Sequence, residues 1–164
     1  MAQKSLHQTS LVLVELGAAW PSALMTEAGI CRVLAEAEGE GPLAFAARAE
    51  DFAVGAFPRG TQVTHALVAC NQRADETAEA ARRAVAESLL ARLAGHGTLV
   101  FVASDDASDR FRRRLFDLVA DLDKAGSGDR RVRAQFGEEG RRTASGPASS
   151  DGSALAKGVV SRVA

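Results

Sequence analysis

Polar side chains that could act in catalysis or ligand binding follow two apolar, β-branched runs of the chain, 62–70 and 98–103. These candidates are Cys70, Asn71 and Gln72 at the end of the first run and Ser104, Asp105 and Asp106 after the second. A helical pattern follows each run, which predicts strand–helix units with parallel strands joined by right-handed crossovers. Ligands of such sheets bind outside the carboxyl ends of the strands. If the two strands are neighbours, both groups face one cleft.

The acidic residues of the second group offer ligands for a hard cation. Mg²⁺ takes one or two carboxylates and keeps several waters, which makes Asp105, Asp106 and Asp109 the candidate metal ligands and Asp105 and Asp106 candidate catalytic groups. Helix capping is the other role open to them, because Asp and Ser at a helix start satisfy orphan N–H groups and complement the helix dipole. We expect capping, with Asp106 as the N-cap.

Cys70 is the one candidate thiol nucleophile, because a strand end ahead of a helix N-terminus is a position that can lower a thiol pKa. A catalytic thiol also needs a histidine base within reach. His65 lies an odd number of residues away on the same strand and therefore faces the other side of the sheet. His96 lies at the far end of the following helix. The spacing favours a buried structural cysteine, and the cysteines and histidines match no zinc pattern.

Nucleotide and nucleic-acid sites find little support in the sequence. No glycine-rich phosphate loop follows a predicted strand. Arginines cluster at 110–114 and in the C-terminal part, but the formal net charge is −1, which does not favour a nucleic-acid surface. We predict no cofactor, except Mg²⁺ under the metal alternative, and Asn71, Gln72 and Ser104 are the candidate cofactor-binding side chains.

Length and composition indicate one globular domain with an attached tail. Hydrophobic residues make up 46% and charged residues 25% of the 164 residues, as is ordinary for a soluble protein. Both cysteines fall in apolar patterns, which is typical of reduced thiols in the cytoplasm. No apolar run approaches the roughly 20 residues of a membrane-spanning helix.

The order of patterns predicts a small layered α/β domain with about four mainly parallel strands and three helices. The first strand is expected at 11–16, followed by Gly17, so no acidic group is expected after it. Helices are predicted at 20–38, 73–93 and 107–124. The stretch 43–57 fits either element: its alanines favour a helix, whereas the short connection before it favours a strand at 43–48, which we predict.

Composition changes at Gly126, and we predict an α/β domain at 1–125 and a flexible tail at 126–164. The tail has 7 Gly and 6 Ser in 39 residues and few large apolar side chains, so it cannot bury enough surface to offset its ordering entropy. One short docking helix is expected at 153–163, where Leu155, Val159 and Val163 recur at i,i+4 spacing.

The absence of a catalytic constellation favours a non-catalytic cytoplasmic module. The leading hypothesis is an interaction or regulatory domain that binds a protein partner or its own copy and uses its tail for docking. The alternative is a small enzyme whose Asp105/Asp106 cleft, with Mg²⁺, acts on a phosphorylated or other anionic small molecule. Nucleic-acid binding through the tail is a third, weaker hypothesis. No membrane partner is expected.

Overall fold

Five strands form one parallel sheet in the computed structural model, which describes residues 9–18, 30–125 and 129–137. The strands are β1 (Thr9–Val14), β2 (Ile30–Ala35), β3 (Val63–Ala69), β4 (Leu93–Ser104) and β5 (Arg131–Gly137). Their order is β2-β1-β3-β4-β5, and every neighbouring pair is parallel. This is one of the common orders of doubly wound α/β proteins. The predicted α/β class is confirmed, with five strands instead of about four.

Three helices of the described chain cover one face of this sheet. They are α1 (Pro42–Gly55), α2 (Glu76–Arg92) and α3 (Asp109–Ala125). Their buried side chains, among them Phe45, Leu89 and Phe111, join Leu13 and Phe101 of the sheet in one apolar cluster. The shared face follows from handedness, because the connections that contain these helices all advance in one direction across the sheet. None of the three has the length and apolarity of a membrane-crossing helix.

The opposite face of the sheet carries a smaller apolar cluster. It consists of Val12, Val14, Leu67, Ala69 and Val102, with Ala18, Val33 and Val100 packed at its edge. Successive side chains of a strand point to opposite faces, so these residues alternate with those of the first cluster. No described helix contributes to this second cluster.

The predicted strand at 43–48 is wrong, because these residues lie in α1. Gly41 has a positive φ of 77° and Pro42 occupies the first turn, a start that suits a helix. Phe45, Ala49 and Ala53 then recur at i,i+4 spacing and are buried. Helical periodicity and alanine propensity therefore outweigh the short connection that favoured a strand.

The strands β2 and β5 lie in segments for which the sequence predicts a helix and a tail. The predicted helix at 20–38 is wrong in its second half, where β2 sends Leu34 to one face and Val33 to the other; residues 19–29 lie outside the described residues. The domain boundary at 125 is also wrong, because β5 pairs with β4. Its inward residues are buried, but arginines and Gln135 alternate with them and hide the pattern. The segment 138–164, including the expected helix at 153–163, lies outside the described residues.

A register irregularity at the start of β4 gives a testable contrast between two glycines. Val63 pairs with Leu93, whereas His65 pairs with Thr98. A Cβ at Gly97 would lie 2.9 Å from Leu93 Cβ, whereas a Cβ at Gly95 meets nothing within 4 Å. We expect Gly97→Ala to lower the free energy of unfolding by about 1–3 kcal/mol through overpacking.

Gly95→Ala is the matched control, and we expect it to be neutral or to stabilise by up to about 1 kcal/mol by restricting the unfolded chain. Urea unfolding of both variants measures the difference. Equal effects of the two substitutions would contradict the close packing at Gly97.

Candidate functional site

A crevice lies at the carboxyl ends of β1, β2 and β3, where the order of the strands reverses. Such a switch point is the usual ligand site of an open α/β sheet. Charged and polar side chains converge here from three strand ends and from α2. They are Glu15 after β1, Glu36 after β2, Asn71 and Arg73 after β3, and Arg82 of α2. Of these, only Asn71 was among the sequence candidates.

A buried ion pair occupies the centre of the crevice. Arg82 Nε donates to Glu15 Oε1 at 2.7 Å, and Arg82 Nη2 donates to Glu15 Oε2 at 2.9 Å. The side chains of Arg82 and Glu15 are only 3% and 11% exposed. This bidentate arrangement is the strong form of an Arg–carboxylate contact. Phe111 lies beneath the guanidinium, with its ring centroid 5.4 Å from Arg82 Cζ.

Asn71 ties the ion pair to the backbone around it. Its N–H donates to Glu15 Oε2 at 2.9 Å, and its Nδ2 donates to Leu16 O at 3.0 Å. Its Oδ1 accepts from Arg73 N at 3.0 Å. The side-chain amide therefore links the segments that follow β1 and β3. A ligand that bound here would have to break these hydrogen bonds.

The space left in the crevice is small. Glu36 is buried, and its Oε2 accepts from Leu16 N at 2.8 Å. The remaining cavity has a volume of about 20 Å³, room for about one water molecule. The crevice where a ligand would be expected is therefore filled by the protein's own side chains.

Cys70 does not have the properties of a nucleophile. It is 3% exposed, and its Sγ lies 3.5 Å from Val68 O. Burial, followed by the negative charge of Glu15, raises the pKa of the thiol far above neutral pH. The thiol stays protonated, and a thiolate is the reactive form. The expectation of a buried cysteine is confirmed, and this burial argues against the catalytic candidate Cys70.

The two candidate clusters after β3 and β4 do meet. Gln72 Nε2 donates to Asp106 Oδ1 at 3.0 Å, so the predicted proximity of the two strand ends is confirmed. The expectation that Asp106 is the N-cap is wrong, because Ser108 Oγ accepts from Phe111 N at 3.2 Å at the start of α3. The carboxylate of Asp106 joins the two loops, and the hydroxyl of Ser108 caps the helix.

The positively charged guanidinium of Arg112 lies beside the backbone of Asp105. Arg112 donates through Nη2 to Asp105 O and through Nε to Ala107 O. Within the described ranges, no three His, Cys, Asp or Glu side chains group as a metal site would require. The candidate ligands Asp105, Asp106 and Asp109 are thus not gathered around one point, and a guanidinium lies among the loop carbonyls instead.

A larger opening lies on the surface between α2 and α3, and we call it the α2–α3 groove. Its volume is about 310 Å³. Its lining residues are Glu76, Glu79, Ala80, Arg82 and Arg83 of α2 and Phe111, Arg114, Leu115, Asp117, Leu118 and Asp121 of α3. Two ion pairs bridge the helices: Arg114 Nη1–Glu79 Oε2 at 3.0 Å and Arg83 Nη2–Asp121 Oδ2 at 3.1 Å.

One carboxylate oxygen in this groove lacks a partner. Glu79 Oε1 is buried and accepts no hydrogen bond within the described structure. A buried acceptor without a donor costs free energy. The groove lining also holds four carboxylates against the two guanidinium groups of Arg83 and Arg114, because Arg82 is bound to Glu15. The groove lining therefore carries an excess of negative charge, and the buried Glu79 Oε1 accepts no hydrogen bond from the described residues.

The sequence carries a signal for each of the buried charged residues of the crevice. Arg82 falls on the apolar stripe of its helix, four residues after Ala78 and three before Val85, and a charge on a buried stripe requires a partner. Glu15 directly follows the apolar residues of β1 and lies inside the predicted strand 11–16. Glu36 was hidden inside the predicted helix at 20–38.

Comparisons with known proteins give no match. No family model, no curated protein and no solved structure matches the chain. The function is therefore proposed from the geometry of the crevice and the groove.

Proposed function

We propose that the domain is a non-catalytic cytoplasmic interaction module that binds a protein partner through the α2–α3 groove. The filled crevice at the carboxyl ends of the strands supports this function best. Binding and catalytic sites keep space and a few convergent polar groups for their ligand. Here Glu15, Arg82 and Asn71 are bound to one another, and about 20 Å³ remains.

The groove fits a partner segment that carries a lysine or arginine. The excess of carboxylates in the lining favours a cation. The bridging pair Arg83–Asp121 is exposed, with side chains 44% and 59% accessible. Exposed pairs of this kind contribute about 0–1 kcal/mol, so a partner can replace them at little cost. The apolar side chains Phe111, Leu115 and Leu118 lie at the bottom of the groove but are buried in the core, so the surface open to a partner is mainly polar.

Photo-crosslinking in cells tests this assignment. A benzoylphenylalanine at Ala80, in the groove, is expected to capture a defined partner, whereas the same group at Val54, exposed on α1, is not. Glu79→Lys should reduce the captured partner at least about tenfold, because it places a like charge against a basic segment. Glu50→Lys makes the same charge change on α1 and should leave capture intact. Equal losses in both variants, or equal capture at both positions, would refute the groove as the binding surface.

The enzyme alternative has one supporting observation, the contact that joins Gln72 to Asp106. It requires Mg²⁺ or an anionic small molecule to bind the Asp105/Asp106 cleft. Ligands that bind the native state raise the melting temperature. We expect no saturable shift with Mg²⁺ or with phosphorylated metabolites. A saturable shift that Asp105→Asn abolishes would replace the interaction module with the enzyme.

A further inference from the structure

The strand β2 forms one edge of the sheet and is the more exposed of the two edge strands. In the order β2-β1-β3-β4-β5, β2 and β5 each have one described neighbour. Ala134 and Gln135 of β5 are 0% and 2% exposed, whereas Arg32 and Ala35 of β2 are exposed. An exposed edge strand presents backbone N–H and C=O groups with which a strand of another molecule can pair. Of the two, β2 is therefore the edge open to such pairing.

The backbone groups on the open edge follow from the pairing of β2 with β1. The two strands are parallel, and Glu36 N donates to Val14 O at 2.8 Å. The N–H and C=O groups of one strand residue point to the same side, and this side alternates along the strand. The groups of the even-numbered residues of β2 therefore point toward β1. Those of Cys31, Val33 and Ala35 point away from β1, along the open edge.

Arginine side chains cover two of these three outward carbonyls. Ala35 O accepts a hydrogen bond from Arg48 Nη2 at 2.7 Å, and Cys31 O accepts one from Arg32 Nη1 at 3.3 Å. The guanidinium carbon of Arg32 lies 5.5 Å from the centroid of the Phe57 ring, a cation–π contact that holds the side chain beside the strand. Both guanidinium groups must move before another strand can pair along the whole edge.

A carboxylate fixes the position of Arg48. Glu40 accepts from Arg48 Nε at 2.6 Å and from Arg48 Nη2 at 2.7 Å, and its Oε1 also accepts from Ala37 N at 3.0 Å. The hydrogen bond from Arg48, followed by that from the Ala37 N–H, lowers the pKa of Glu40 to about 2. The carboxylate is therefore charged at neutral pH, and the bidentate pair holds the guanidinium against Ala35 O.

We propose that Arg32 and Arg48 prevent the β2 edges of two copies of this chain from pairing. Two β2 strands would pair antiparallel about Val33, with each Val33 N–H donating to the Val33 carbonyl of the other copy. Cys31 of one copy would then lie opposite Ala35 of the other, and the carbonyls of these two residues are the ones that the guanidinium groups cover. Apart from Arg32, the strand ICRVLA has no charge, and it has no proline or glycine, a composition that favours strand association.

This inference goes beyond the binding role of the α2–α3 groove and does not depend on it. Among the described residues, the lining of the groove includes none from β2 or α1. Loss of the groove as a binding surface would leave the protection of the β2 edge unaffected, and the reverse also holds. Either proposal can therefore fail alone.

Sedimentation equilibrium of the full chain tests the proposal with the variant Arg32→Ala/Arg48→Ala. We expect the wild-type chain to have the mass of one copy and the variant to have about twice that mass, because a two-fold interface closes at the dimer. Arg110→Ala/Arg113→Ala is the matched control, since it removes the same charge at two exposed positions of α3. The control should keep the mass of one copy.

A proline on the edge shows whether the strand itself pairs. The N–H of Val33 points away from β1, so Val33→Pro loses no hydrogen bond of the sheet, and edge strands tolerate proline. In the Arg32→Ala/Arg48→Ala background this substitution removes the central donor of the pairing and should restore the mass of one copy. Circular dichroism of each variant checks that the masses belong to folded protein.

The remaining outcomes count against the protection of the edge. A monomeric Arg32→Ala/Arg48→Ala variant overturns the proposal, and so does association that Val33→Pro does not reverse. A wild-type dimer that Val33→Pro dissociates would show that the edge pairs despite its arginines, which also overturns it. Equal association of Arg110→Ala/Arg113→Ala would assign the effect to net charge instead of the edge.

Discussion

Arg82→Ala is expected to lower the free energy of unfolding by about 3–5 kcal/mol, because it leaves the Glu15 carboxylate buried without its partner. The pair is 3% and 11% exposed and bidentate. Among the described residues, Asn71 N would remain as the donor to the Glu15 carboxylate. Chemical denaturation measures the loss. Since single domains are stable by about 5–15 kcal/mol, the variant can be partly unfolded in buffer.

The next residue along the chain supplies the control. Arg83 forms an exposed pair with Asp121, and Arg83→Ala should cost less than about 1 kcal/mol. The double variant Glu15→Leu/Arg82→Met removes both charges and should recover most of the loss, because apolar residues often replace buried ion pairs without cost. If Arg82→Ala and Arg83→Ala had equal effects, or if the double variant were no better than Arg82→Ala, the buried pair would not be the centre of the crevice.

Phe111→Ala should have an effect of similar size, about 3–5 kcal/mol. Phe111 is 1% exposed and belongs to the main core, and its ring also supports the Arg82 guanidinium. The substitution removes core volume and the aromatic contact at once. Denaturant unfolding of Phe111→Leu, which keeps most of the volume, should show a much smaller loss.

A second phenylalanine of the same helix provides the comparison. Phe116 is only partly buried and packs at the edge of the core, with its ring 5.5 Å from that of Phe136. Phe116→Ala should therefore cost clearly less than Phe111→Ala. A larger cost at Phe116 would show that the centre of the helix–sheet core lies elsewhere along α3.

The central strands and their helices could be predicted because their signals are local. The runs 62–70 and 98–103 are continuous apolar patterns, as expected for strands buried on both faces, and they correspond to β3 and β4. The meeting of Gln72 with Asp106 followed from this adjacency alone. The buried state of Cys70 followed from the same pattern.

The edges of the sheet and the contents of the crevice depend on distant contacts. In β5, Arg131 and Arg133 point to the face of the sheet opposite the three helices. Their charges give this core strand the composition of a solvent-exposed tail. Glu15 and Arg82 are 67 residues apart, and neither residue alone indicates that the other neutralises it. Local patterns predict which segments are strands, whereas predicting which charges pair requires knowledge of the order of the strands in the sheet.

The position of β1 between β2 and β3 has a consequence for synthesis on the ribosome. Thr9 contacts Thr64, 55 residues later in the chain. At about 5–20 residues per second, roughly 3–11 s pass before that partner is made. During this time β1, which is buried at all six positions in the finished fold, lacks its partner on the β3 side. The nascent chain therefore exposes a strand with an unpaired edge early, and the time during which that edge can aggregate depends on how soon β3 is synthesised.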